Sequence, residues 1–285
     1  MRIGIVADTS SNFTPEMAEE LGIHIVPMQI IIDEESYKDA IDLSIEEFYQ
    51  KMAISKELPK TSQPAIGEFI KMYKEIEDEY DKIISIHPAR SLSGTLQTAT
   101  MAANQVNPEK ITVFDSELVS ILTGYMVIEA KRLVDLGKSY EAIMGRLAEM
   151  KNRTVAFIMV ENFDNLVRSG RLPRIAGKLS KLAQIKPILK ISSKGIELER
   201  FVRTTKRAVK KVESIAFDYL ENLNYPAAID VAHGNILEEA EATLARLLKN
   251  YPEQESKINR LASVIGVHTG PGILGYTIQP TYTDQ

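Results

Sequence analysis

Short apolar runs alternate with stretches of helical period along the first half of the chain. Residues 2–7 (RIGIVA) read as a strand, 15–21 as a helix, and 23–32 as a β-branched strand. Residues 44–52 read as a helix opened by Ser44 and Glu47 at capping-box spacing. A helix over about 65–80, a strand at 82–86, a helix over 94–104, a strand at 111–114 and a helix ending near 136 follow. This alternation predicts a mainly parallel sheet flanked by helices. A further helix over 140–151 leads into the apolar run 154–160.

There the pattern changes. Residues 161–211 carry Asn, Gly and Pro breaks, a short helix candidate at 175–183, and two β-rich runs, 188–191 and 196–202, joined across Ser193-Lys194-Gly195 as a hairpin. A long helix to about 223, a strand at 227–233, a helix over 238–250 and a strand-like run at 262–267 complete the chain. The reading is two α/β domains, a mainly parallel 1–154 and a mixed 155–285. The length of 285 residues agrees with about 150 residues per domain.

Composition narrows the chemistry. With 44% hydrophobic and 26% charged residues the chain is globular rather than disordered. It has no cysteine, which excludes disulfides, thiolate metal sites and a Cys nucleophile and fits a reducing, cytoplasmic setting. The N-terminal stretch turns polar after seven residues and no apolar run reaches a membrane span, so neither a secretory leader nor a transmembrane helix is expected. The four histidines, His24, His87, His233 and His268, form no HExxH or i, i+4 pair, so no metal is expected; GxSxG and GxxxxGK[ST] are both missing.

The net charge of −5 argues against bulk nucleic-acid binding. It conceals an asymmetry, because residues 168–211 hold fourteen Lys and Arg against Glu197 and Glu199, a local charge of +12 that leaves −17 on the rest. Such a segment suits an anionic partner, although a solvated basic face is the plainer alternative. In the candidate helix, Arg174, Lys178 and Lys181 share one side and Ile175, Leu179 and Leu182 another, as in an interfacial helix or an ordinary amphipathic one. Phe201 is the one aromatic in the segment, too few for stacking single-stranded nucleic acid.

Three loops have the composition of anion sites. Lys60-Thr61-Ser62-Gln63-Pro64 precedes a helix, and Ser91-Leu92-Ser93-Gly94-Thr95 follows an apolar strand and opens another. Hydroxyls, free N–H groups and a helix dipole grip a carboxylate or phosphate, and glycine permits close approach. A simple capping role for Thr61 and Ser93 is the alternative. The third loop, His268-Thr269-Gly270-Pro271-Gly272, forms a formal GxGxxG with Gly275. Too little chain follows for a dinucleotide unit, so no nucleotide cofactor is expected, and His268 is read as a charge-assisted donor to an anion.

Several stretches together resemble the DegV family: Val6 to Ser10, Ile25 to Ile32 with Tyr37-Lys38-Asp39, Lys60 to Pro64, Leu92 to Thr95, Phe114-Asp115-Ser116, Leu166 to Leu172, Lys186 to Leu189, Val202-Arg203-Thr204 and His268 to Gly272. The likeness runs in order from about residue 3 to 276. Members of that family include the fatty-acid-binding subunits of bacterial fatty acid kinase. The resemblance implies two α/β domains with an acyl chain in a tunnel at or near their junction. Its carboxylate would be held by Thr61, Ser62, Ser93, Gly94, His268 and Thr269, with Arg203 and His268 organising the head group. It implies presentation of that carboxylate to a separate ATP-dependent kinase subunit that makes the acyl phosphate, in the service of phospholipid synthesis. No cofactor is implied, and no catalytic residue of the chain's own.

Arg168, Arg171 and Arg203 are the docking candidates on this reading, with transient contact to an anionic membrane surface a further implication. Ile121, Leu122, Met159, Phe163 and Leu182 are candidates for the tunnel lining. One departure stands out: a small hydroxyl pair is expected ahead of the LSGT motif, and His87-Pro88-Ala89-Arg90 is there instead. A self-contained small-molecule enzyme using the hydroxyl loops and His268 is the alternative function.

Overall fold

The computed structural model describes residues 1–161, 163–172 and 185–282. The chain divides into two compact units, Met1–Lys151 with Ala262–Ile265, and Asn152–Leu261 with Gly266–Gln285.

In the first unit, β1 (Ile3–Asp8), β2 (His24–Val26), β6 (Lys82–His87) and β7 (Ile111–Asp115) form a parallel sheet in the order β2-β1-β6-β7. All six residues of β1 are buried, as expected of a parallel strand covered on both faces. Helices α3 (Ile66–Ile76) and α4 (Thr95–Val106) turn Phe69, Tyr73, Ile76, Ala99, Ala102 and Ala103 onto Val6, Val26, Ile83 and Ile111. The alanines on α4 let the two helices approach closely without losing the 3.6-residue apolar stripe. Helix α5 (Ile121–Asp135), buried along most of its length, packs against β1 and β6. Helices α1 (Pro15–Leu21), α2 (Ile45–Ile54) and α6 (Tyr140–Arg153) complete the unit; Ser44 and Glu47 form the expected capping box at the start of α2.

The run 23–32, read as one strand, is two. Pro27 lacks an N–H and interrupts the ladder. Beyond it, β3 (Gln29–Ile32) leaves the parallel sheet and pairs antiparallel with β4 (Glu35–Lys38) and β5 (Lys60–Ser62).

The second unit is built on a six-stranded sheet, β10-β9-β8-β13-β11-β12, antiparallel except where β11 meets β12. Its strands are β8 (Val155–Met159), β9 (Lys186–Ser192), β10 (Gly195–Val202), β11 (Ala227–His233), β12 (Ile258–Arg260) and β13 (Leu274–Pro280). The hairpin read around Ser193-Lys194-Gly195 joins β9 to β10, with Gly195 at φ 102°. Alternate residues of the central strands, Val155, Phe157, Met159, Leu274, Tyr276 and Ile278, meet Ala208, Val209, Val212, Ala216, Ala240 and Leu247 of helices α8 (Thr205–Glu221) and α9 (Leu237–Asn250). Each buried side chain of this size is worth about 1.5–3 kcal/mol.

The strand expected at 262–267 is instead part of helix α10 (Ser263–Thr269). Its β-branched residues suggest an extended run, but the segment closes helical turns and ends at Gly270 with φ 67°. The short helix α7 (Asp164–Arg168) precedes residues 173–184, so the helix candidate 175–183 lies outside the described residues, and Leu182 with it. Among the described residues no helix is long and apolar enough to cross a membrane.

Candidate functional site

Within the first unit the two hydroxyl loops converge through one side chain. Thr61 and Ser62 lie on β5, where Thr61 pairs with Ile30 and Ser62 with Gln29. They do not cap α3: that helix begins at Ile66 behind Ala65, with no side-chain cap. Pairing to β3 rather than capping therefore fixes the backbone of this loop.

Ser93 and Gly94 stand at the head of α4, with Gly94 as its N-cap. The Ser93 hydroxyl accepts from the Thr95 N–H at 3.2 Å and meets the Thr95 hydroxyl at 2.8 Å. Gln63, the residue after the β5 hydroxyls, reaches across to this helix head and donates to the Thr98 hydroxyl at 3.3 Å. A Cβ on Gly94 would stand 2.4 Å from its Oε1, so glycine is what admits the bridge. Thr61, Ser93 and Gly94 are each half-buried, which leaves them within reach of a ligand. A hydroxyl on a helix head beside unpaired N–H groups is suited to a carboxylate.

Beneath these loops lies a buried polar chain that no sequence motif marks. Asp8, at the end of β1, accepts from the Ser10 N–H at 3.0 Å and from the Ser10 hydroxyl, capping the turn Thr9–Ser11. Its other oxygen is 2.7 Å from Nδ1 of His87, whose Nε2 is 2.7 Å from the Ser85 hydroxyl, which accepts from Tyr73 at 2.8 Å. All four side chains are fully buried. Burial pushes the Tyr73 phenol up, so it remains a donor.

His87 thus explains the departure from the expected hydroxyl pair: it points inward and organises Asp8. Asp39 is equally buried. Burial raises its carboxyl to about 6 against the lowering hydrogen bond of Thr9, with the charge of Asp8 adding to the rise. One Asp39 oxygen has no hydrogen-bond partner among the described residues. The sequence signal for this chain is slight, a His and an Asp each ending an apolar strand.

Within the second unit, His268 and Thr269 end α10, and the loop after them lies against the segment following β8. A Cβ on Gly270 would come 3.1 Å from Asn165, and one on Gly272, at φ 87°, would come 2.8 Å from Glu161. Burial first, and the charge of Arg171 second, lower His268 to about 4. His268 is therefore neutral near pH 7, where its motif suggests a charged donor, and Arg171 supplies the cation beside it. Arg171 Nη1 donates to the Ser169 carbonyl at 2.5 Å, whereas Arg168 and Arg203 are exposed. The glycines of the formal GxGxxG run from a helix into β13, the reverse of the strand-to-helix order that a dinucleotide loop needs.

Of the expected lining residues, Ile121 and Leu122 are buried on α5, Met159 faces α8 and α9, and Phe163 is half-buried ahead of α7. Among the described residues no group of three or more His, Asp or Glu could hold a metal ion.

Comparison with known proteins places this architecture. A family model described as an uncharacterised protein of the DegV family matches residues 2–281. The chain belongs to the DegV family. A DegV domain-containing protein of Listeria innocua is 35% identical over 277 residues, covering 97% of this chain and 98% of the relative. Among solved structures, DegV of Bacillus subtilis, described as a fatty acid binding protein, aligns with TM-score 0.88 at 34% identity over 99% of this chain and all of the other. A fatty-acid-binding DegV family protein of Thermus thermophilus aligns with TM-score 0.89 at 29% identity and the same coverage. The DegV architecture is thus the expected pair of α/β units, one with a parallel sheet and one mixed.

Proposed function

We infer that the chain is a fatty-acid carrier, which buries a long acyl chain and exposes its carboxylate to a separate ATP-dependent kinase subunit. The observation that carries the reading is the half-buried Ser93 hydroxyl at the head of α4, tied by Gln63 to the Thr61–Ser62 strand, in a chain whose solved relatives bind fatty acids. Thr61, Ser62, Ser93 and Gly94 hold the carboxylate on this reading. His268, Thr269 and Arg203 are the second unit's candidates for the head group, with His268 neutral and Arg203 a cation. The acyl chain contributes most of the affinity, at about 0.8 kcal/mol per buried methylene. The chain supplies no phosphoryl chemistry of its own. Acyl-phosphate formation therefore requires the partner.

Mass spectrometry of an organic extract of the purified recombinant protein is the direct test, with one fatty acid per chain as the expected result. A clean extract together with failure to take up added oleate overturns the reading, and turnover of a small molecule without a partner would favour the self-contained enzyme. Ser93→Ala is expected to weaken oleate binding by about 1.5–3 kcal/mol, the worth of a hydrogen bond to a charged group. Titration of the two proteins with a fluorescent fatty acid measures this. Equal affinities would remove Ser93 from the head-group site.

A further inference from the structure

Residues 200–211 of the +12 segment form a basic strip along the end of β10 and the start of α8. Between β10 and the second turn of α8, the residues Arg200, Arg203, Lys206, Arg207, Lys210 and Lys211 occur with no acid among them. Five are exposed and Lys211 is half-buried. None has an ion-pair partner among the described residues. Two concavities adjoin and share Lys210. One is a groove of about 780 Å³ with Met159, Val209 and Ile236 as its apolar lining and Lys206, Lys210 and Arg246 among its cations. The other is a shallow basin of about 420 Å³ with Arg200, Arg207 and Lys211 around Phe201, a large aromatic that is 36% exposed.

The groove also has carboxylates, but each already has a cation. Arg246 holds Glu213 at 2.9 Å and Glu239 at 3.4 Å, and Lys186 holds Glu161 at 2.5 Å. Lys206 and Lys210, one helical turn apart, are the surplus. An exposed cation that pairs with nothing adds little to folding, and six cations within twelve residues, five of them exposed, repel one another. Ile236 and Phe201, which are not buried, lose by facing water, whereas Met159 and Val209 already lie in the core. Both costs are relieved together by an occupant that brings carboxylates to the rim and an apolar side chain to the floor.

We propose that this strip is the surface on which the kinase subunit docks, through an acidic segment of that protein carrying at least one apolar anchor for the groove. The inference rests on the carrier reading and moves the docking surface from Arg168 and Arg171 to the face of α8. The concave form favours a protein segment over an anionic membrane, because a flat lipid surface covers the groove without entering it. Charges of this kind act mainly on encounter, so the effect belongs in the association of the two proteins and not in the chemical step.

The test is acyl-phosphate formation by the organism's ATP-dependent fatty acid kinase subunit with the oleate-loaded full chain as varied substrate. Lys206→Glu/Lys210→Glu is expected to raise the KM for the loaded protein by about tenfold or more with kcat within about twofold, and to flatten its salt dependence. Oleate affinity stays unchanged. Lys206→Gln/Lys210→Gln should fall between, and Lys249→Glu, exposed on α9 and lining neither concavity, should behave as wild type. Normal turnover of wild type with an unmoved KM in the Glu variant overturns the docking surface and leaves the carrier reading intact. The docking surface is likewise overturned if, with KM unmoved, the variant instead loses binding to phosphatidylglycerol vesicles or changes only its self-association in sedimentation. If loaded wild type receives no phosphoryl group, the carrier reading fails first, and the docking surface with it.

Discussion

Replacing His87 by alanine is expected to cost the first unit about 3–5 kcal/mol, because it leaves buried polar groups unpaired and opens a cavity together. His87 lies between Asp8 and Ser85 at 2.7 Å from each, and its ring meets Phe69 edge-on at 5.2 Å between centroids. Without the imidazole, one Asp8 oxygen has no partner in a site closed to solvent, and a cavity opens against Phe69. A polar group left unpaired in the interior loses its hydration without compensation, and that asymmetry makes the loss larger than the worth of one hydrogen bond. Against a typical total of about 5–15 kcal/mol this is a large fraction. Urea denaturation followed by far-UV circular dichroism measures it. His24→Ala, which removes a half-buried contact to Tyr80 at 3.0 Å, serves as the comparison and is expected to cost about 1 kcal/mol or less. A loss for His87→Ala as small as that for His24→Ala would show that the network closes over the gap.

Gly275→Ala is expected to destabilise the second unit strongly for a single methyl. A Cβ there would stand 2.1 Å from the Phe157 carbonyl oxygen and 2.6 Å from the Ile158 Cα. Both are backbone atoms of β8, and β13 is held between β8 and β11, so neither strand moves aside without breaking a ladder. Overpacking of this kind costs about 1–3 kcal/mol, and rigid neighbours put it at the upper end. The melting temperature should fall by roughly 6–12 °C, taking about 2–4 °C per kcal/mol for a chain of this size. Gly145→Ala, on an exposed turn of α6 with nothing within 4 Å, should leave it nearly unchanged. Coincident melting curves for Gly275→Ala and wild type would mean that β8 and β13 lie further apart than this packing implies.

How far the sequence reveals this molecule depends on whether a signal is local. The strands Ile3–Asp8, Lys82–His87 and Ile111–Asp115 announce themselves as continuous apolar runs because both faces of a parallel sheet are covered. The Ser44–Glu47 box fixes the start of α2 from four residues alone. By contrast, Lys60–Ser62 is a strand only because β3 offers it a ladder, and nothing in Lys-Thr-Ser reveals that neighbour. Leu274, Tyr276 and Ile278 do alternate with period two, but Gly270, Gly272 and Gly275 overlay on the same residues a glycine pattern that reads as a loop.

The candidate site divides in the same way. Thr61, Ser62, Ser93 and Gly94 are legible from hydroxyl and glycine composition beside a helix start. Their connection through Gln63 is not, since it is a side-chain contact 35 residues apart in the chain. The neutral state of His268 is hidden for a similar reason: it depends on burial and on Arg171, not on any neighbour in sequence.

The segment Ala262–Ile265 gives the protein a particular timetable during its synthesis. The Ala262 N–H reaches back 250 residues to the Asn12 side chain at 2.7 Å, and Val264 contributes a backbone hydrogen bond to buried Asp39. A ribosome that has just released Lys151 has therefore delivered most of the first unit but not its last few hydrogen bonds. At about 5–20 residues per second, the nascent first unit waits roughly ten seconds for them. During that interval the carboxylate of Asp39 is short of a donor, and a chaperone would find the gap open. For the same reason a gene cut after Lys151 would encode a fragment permanently held at that stage, less stable than the same residues in the full chain.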